Sequence, residues 1–163
     1  LFHQGSLLLD KGWTSTWFAT CFVAFAVAQV LTSLLAGPAV DRFGATRLMP
    51  IYLLPISLGL LVIALASSPA SAALFLALFG MTAGLGGTVV SAMWAEVYGT
   101  EQLGAIRSLA TAIMVFGTAA SPVLFGWLLD AGGTTTSIAW ICSAYAFLAM
   151  GLTLLGGRTR ARA

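Results

Sequence analysis

Apolar residues fill this chain in long unbroken blocks, and charged residues stand only between them. No charge lies between Lys11 and Asp41, between Arg47 and Glu96, between Arg107 and Asp130, or between Asp130 and Arg158. A helix needs about 20 apolar residues to cross a hydrocarbon core of roughly 30 Å. The first, third and fourth intervals each hold one crossing and the second holds two. Five membrane spans are therefore expected, at about 16–36, 48–66, 72–94, 107–129 and 137–156. Residues 1–9 read as the end of an earlier span.

The connections fit this division. Asp10, Lys11, Gly12 and Trp13 make a short polar turn with an interfacial tryptophan. Gly37 and Pro38 end the first span, and a charged loop follows from Asp41 to Arg47. The second span carries Pro50 and Pro55 near its start, which predicts a loosened first turn. Lipid tolerates such a turn only when neighbouring helices satisfy the freed backbone groups. Residues 67–71 form a tight polar turn, 95–106 a loop or short interfacial helix, and 130–136 another turn. Pro122 lies near the end of the fourth span.

Composition sharpens the picture. Only 7% of the 163 residues are charged and 60% are hydrophobic, whereas a soluble domain carries about 25% charged residues. The solvent implied is lipid, and the fold class is an all-α polytopic transmembrane helix bundle. Six of the seven cations are arginines at span ends, a pattern that suits membrane orientation rather than nucleic-acid binding. With alternate connections on alternate sides, Arg42, Arg47, Arg107, Arg158, Arg160 and Arg162 share one side and Lys11 stands on the other. Cytoplasmic loops carry the Lys/Arg excess, so the arginine side and the C-terminus are expected in the cytoplasm of a bacterial inner membrane. Cys21 and Cys142 lie inside apolar runs without pair spacing, so no disulfide framework, metal site or cofactor is expected. The chain opens at Leu1, without signal-peptide design, and reads as a piece preceded by further chain.

The loop after the first span reads Gly37-Pro38-Ala39-Val40-Asp41-Arg42-Phe43-Gly44-Ala45-Thr46-Arg47. It resembles the signature loop of the major facilitator superfamily: Gly, three residues, Asp-Arg, one residue, Gly, then basic residues. This chain departs from the pattern in having only Arg47 after the second glycine. The resemblance implies that the spans are helices 8 to 12 of a twelve-helix fold, with residues 1–9 ending helix 7. The solute site would then be shared with a missing N-terminal half, and the loop would latch the two halves on the cytoplasmic side. Gly37 is expected to allow close helix approach, Gly44 a tight turn, and Asp41 a contact with a helix N-terminus. Glu96 lies on the same side and is expected to pair with Arg42 or Arg107. The stretch from Tyr98-Gly99 through Leu103-Gly104, Gly117 and Pro122 to Gly126 and Asp130 is similar to the monocarboxylate and oxalate–formate branches of that superfamily.

Polar residues within spans are candidates for solute contact, because polar groups facing lipid are costly. Thr111, Met114, Thr118 and Ser121 share one face of the fourth span, and Gln29, Thr32 and Ser33 one face of the first. The third offers Thr88 and Ser91, and His3 falls on the earlier span. Serine and threonine hydroxyls also bond their own helix backbone, so Gln29 is the sharpest single candidate. Gly80, Gly84 and Thr88, four residues apart, predict a close-packed helix face. The Gly-Leu-Gly-Gly run at 84–87 is no dinucleotide site, since Val89 stands where a further glycine is required. A membrane enzyme would need a nucleophile, metal ligands or paired acids within the spans, and they offer no such set. The function expected is alternating-access transport of a small solute, with an organic anion preferred. A receptor or assembly subunit on the same fold is the alternative.

Overall fold

The computed structural model describes residues 4–160. Among these residues seven helices follow one another: α1 Gln4–Lys11, α2 Ser15–Phe43, α3 Ala45–Leu48, α4 Leu54–Leu65, α5 Pro69–Tyr98, α6 Leu103–Asp130 and α7 Thr135–Arg160. No strand occurs among the described residues. Among the described residues, four stretches are long and apolar enough to cross a membrane: Ser15–Phe43, Pro69–Tyr98, Leu103–Asp130 and Thr135–Leu155.

The helix boundaries have local causes. Thr14 precedes α2, and its Oγ1 accepts the N–H of Trp17 at 3.3 Å. Pro38 does not end that helix, because a proline near a C-terminus removes one ladder bond and the turns around it survive. The helix therefore runs on to Phe43, where Gly44 at φ 80 stops it and returns its N–H to Val40 at 2.8 Å. Asp41 and Arg42 are thus helical rather than part of a loop. Likewise Gly99, at φ 75, separates α5 from the short connection to α6, so most of residues 95–106 is helix.

The second expected span, 48–66, is not one helix. Pro50 and Pro55 supply no N–H, and residues 49–53 form a succession of turns between α3 and α4. Ile51 and Tyr52 both donate to the Leu48 carbonyl, at 2.9 and 3.0 Å. The first turn of α4 still lacks a partner for the Ile56 N–H, and α5 provides it: Thr82 Oγ1 accepts at 2.9 Å. The sequence expectation of a loosened turn repaired by a neighbour therefore holds.

Packing centres on α2 and α5, which run in the same direction. Trp17 of α2 donates to the Pro69 carbonyl at one end (2.9 Å), and Glu96 of α5 reaches Ala45 just beyond α2 at the other (2.6 Å). Along the seam, a chain of rings passes from Trp13 through Phe18, Phe22 and Phe25 to Phe79 and Phe75, with centroids 5.3–6.5 Å apart. Helix α4 lies between α5 and α7. Gly59 faces Phe75 there, and the buried Ser143 hydroxyl donates to the Ser57 carbonyl at 3.3 Å. Helix α6 stands apart and buries none of its residues.

Candidate functional site

At the arginine end, one carboxylate organises the backbone. Glu96 Oε1 accepts the Ala45 N–H at 2.6 Å and Oε2 accepts the Thr46 N–H at 3.0 Å. These amides open α3, where no carbonyl of the preceding turn can reach them. Gly44 makes the approach possible: at φ 80 it turns the chain sharply, and a Cβ there would lie 3.7 Å from Glu96 Oε1. The expected pairing of Glu96 with Arg42 or Arg107 is therefore corrected. Its two oxygens are engaged by backbone amides, because a helix start with open N–H groups is a closer and better oriented partner than a long exposed cation.

The remaining loop residues fall differently. Asp41 and Arg42 are exposed on the last turn of α2, and the Arg42 guanidinium lies 5.5 Å from the Phe43 ring centroid. Arg47 and Arg107 are exposed as well. Among the described residues, nothing lies within 4 Å of a Cβ built on Gly37. His3 and Arg162 lie outside the described residues, as do the side chains of Arg158 and Arg160.

Among the span candidates, the structure separates packing from exposure. A Cβ on Gly80 would collide with the Phe25 carbonyl, and one on Gly84 with Thr32 Oγ1 and the Gln29 carbonyl. The seam thus presses α5 backbone onto the turn that carries Gln29, Thr32 and Ser33. Thr32 gives its proton to its own helix, at 2.7 Å from the Ala28 carbonyl. Gln29, Thr88 and Ser91 are half-buried, and Ser33 is exposed. On α6, Thr111, Met114 and Thr118 are all exposed, and Ser121 is half-buried. Thr118 bonds its own helix at the Met114 and Val115 carbonyls, both at 2.9 Å, and Ser121 bonds the Thr118 carbonyl at 3.3 Å. The two faces are not brought together: Gln29, Thr32 and Ser33 lie on the turn against Gly84 of α5, and the candidates of α6 stand away from that seam.

Sequence reasoning missed Thr82, whose only signal is the pair of prolines that leaves a neighbouring helix short of acceptors. It also missed the contacts at the Lys11 end. Asp10 Oδ2 accepts from Thr135 Oγ1 at 2.7 Å and from its N–H at 3.2 Å. The Thr135 hydroxyl, then its amide, hold the Asp10 carboxyl below the usual carboxylate range, with Lys11 adding to the effect.

The family described as Major Facilitator Superfamily matches residues 2–162. Two relatives, each named Multidrug resistance protein B homolog, come from Mycobacterium tuberculosis strains CDC 1551 / Oshkosh and ATCC 25618 / H37Rv. Each is 31% identical to this chain over 134 residues, which is 80% of the chain and 24% of the relative. The chain thus spans about a quarter of the length of the curated relatives it matches.

Proposed function

The chain belongs to the major facilitator superfamily and is a multi-pass membrane protein, and from that premise we propose that it is part of a transporter that moves a small organic solute by alternating access. The composite α3–α4 segment counts as one crossing, giving five spans that correspond to helices 8–12, with α1 ending helix 7. The observation that carries this reading is α6. It is apolar and 28 residues long, yet none of its residues is fully buried against the rest of the chain. It also carries Thr111, Met114, Thr118 and Ser121 on one face. A helix with such a face is suited to border a cavity completed by the remainder of the protein.

The relatives' name, a multidrug resistance protein, favours a drug-like organic compound as the solute. A carboxylate solute, the preference implied by the oxalate–formate resemblance, would call for a cation near mid-membrane. The charge-free intervals of this sequence supply none. Asp41 and Arg42, exposed at the arginine end, are the residues proposed to meet the other half of the transporter, and the arginine excess supports the proposal that this end faces the cytoplasm.

Full-length protein reconstituted in vesicles tests the reading by the flux of an amphipathic fluorescent dye. Wild type should transport, and Asp41→Asn should insert normally yet transport several-fold more slowly. A well-folded protein without flux for any of a panel of organic solutes would favour the receptor reading. Single cysteines at Ser68 and Thr134 should label from outside intact cells, and one at Thr46 should not.

A further inference from the structure

The end of the bundle opposite the arginines is tied by side chains that no transport role requires. Asp10 and Lys11 are adjacent and opposite in charge, yet each binds a different helix terminus. Asp10 accepts the N–H and hydroxyl of Thr135, the first residue of α7, which is itself buried. Lys11 Nζ donates to the Ala66 carbonyl at 3.1 Å, and Ala66 is the residue that caps the C-terminus of α4. Lys11 also reaches Ser67 Oγ at 3.4 Å. The signs match the helix dipoles, an anion at the start of α7 and a cation at the end of α4.

Two tryptophans extend the attachment. Trp13 Nε1 donates to the Ser67 carbonyl and Trp17 Nε1 to the Pro69 carbonyl, both at 2.9 Å. The geometry depends on Gly12, whose φ of 67 reverses the chain after α1 and lets the Trp13 N–H return to the Leu8 carbonyl at 3.0 Å. One short corner therefore touches the end of α4, the start of α5 and the start of α7.

We infer that the α1–α2 corner is a clasp: Asp10, Lys11, Trp13 and Trp17 join α1, α4, α5 and α7 into a single cooperative unit at the Lys11 end. The clasp confines large rearrangements of this part of the protein to the opposite end, where α3 rests on Glu96. It differs from a pair of independent helix caps in one respect: loosening either charge frees the whole corner.

Amide hydrogen exchange on the full-length protein in nanodiscs tests this. Asp10→Asn should speed exchange at 134–137 and equally at 66–68, which it does not touch. Lys11→Met should do the same in reverse. Each change should be roughly fivefold, the factor an ordinary charge–dipole contact supplies, and exchange at 45–48 should not change. Exchanging the two charges (D10K/K11D) keeps their mutual attraction but opposes both dipoles, so it should exceed either single variant. Acceleration confined to the terminus that lost its own partner would reduce the clasp to two separate caps. A silent charge exchange would mean that Asp10 and Lys11 merely neutralise each other.

Discussion

Helices α5 and α6 are neighbours in sequence, nearly equal in length and alike in apolar character, but they meet opposite surroundings. Helix α5 buries seven residues, among them Gly80 and Gly84, whereas α6 buries none. Both contain glycine. In α5 it sits where a Cβ would enter the backbone of α2, and at Gly117 of α6 a Cβ would meet nothing within 4 Å. In water, the more apolar helix would be drawn inside. In lipid that force between helices is absent, and close approach at small residues decides which helices associate. Apolar character therefore identifies both helices as membrane spans without saying which is internal.

The largest effect should come from giving both helices the same substitution. Gly84→Ala forces apart α5 and the Gln29–Ser33 turn of α2, where the ideal Cβ lies 2.5 Å from the Gln29 carbonyl and 3.0 Å from the Ser33 nitrogen. Overpacking of this kind costs about 1–3 kcal/mol, and more where backbone must shift. Gly117→Ala meets open space and removes the helix penalty of glycine, a gain of about 0.5–1 kcal/mol. Thermal unfolding of the purified variants in detergent should fall for the first and hold or rise for the second. Equal shifts would mean that the seam is no tighter than the surface of α6.

A smaller contrast concerns the hydroxyls. Thr82→Ala leaves the Ile56 N–H without its acceptor and should cost about 1–3 kcal/mol, with Thr82→Ser restoring most of it. Thr118→Ala removes a hydroxyl that bonds only its own helix turn, so stability should change by under about 0.5 kcal/mol, as for surface changes elsewhere. Flux through the full-length protein should respond in the reverse order, since Thr118 lies on the exposed face of α6. If Thr118→Ala unfolds the protein as readily as Thr82→Ala, α6 is packed like α5.

Much of this was legible beforehand. Charge-free intervals marked the four long apolar helices, Gly80 and Gly84 marked the seam by four-residue spacing, and Asp41-Arg42-Phe43-Gly44 marked the loop family. What escaped depended on partners distant in sequence. Pro50 and Pro55 announced a gap, but nothing local said that Thr82 would fill it, 26 residues away. Asp10 and Thr135 are separated by 125 residues, and their contact follows only from the helices' return to the same end. Gly37 is the converse case: a small residue permits close packing, and no described helix faces it. Glu96 was assigned to the correct end and given the wrong partner, because a charge count sees arginines and overlooks open backbone amides.

Glu96 and Arg107 extend the comparison to the ends of the two helices, where the smallest effect is expected. Glu96 closes α5 with both oxygens on the first amides of α3, while Arg107 is exposed near the start of α6. An anion at a helix start contributes about 0.3–1 kcal/mol when exposed. The Glu96 side chain is exposed and the helix it caps has four residues, so the lower part of that range applies. Glu96→Gln keeps one carbonyl acceptor and loses the charge. It should raise the exchange rate of the Ala45 and Thr46 amides about two- to threefold, by the same charge–dipole magnitude, while thermal stability barely moves. Arg107→Gln should leave those amides untouched. If the pair were instead joined by a salt bridge, the two variants would accelerate exchange alike. The double variant would then do no more than either single one, whereas a backbone cap predicts that it behaves as Glu96→Gln alone with Arg107→Gln silent.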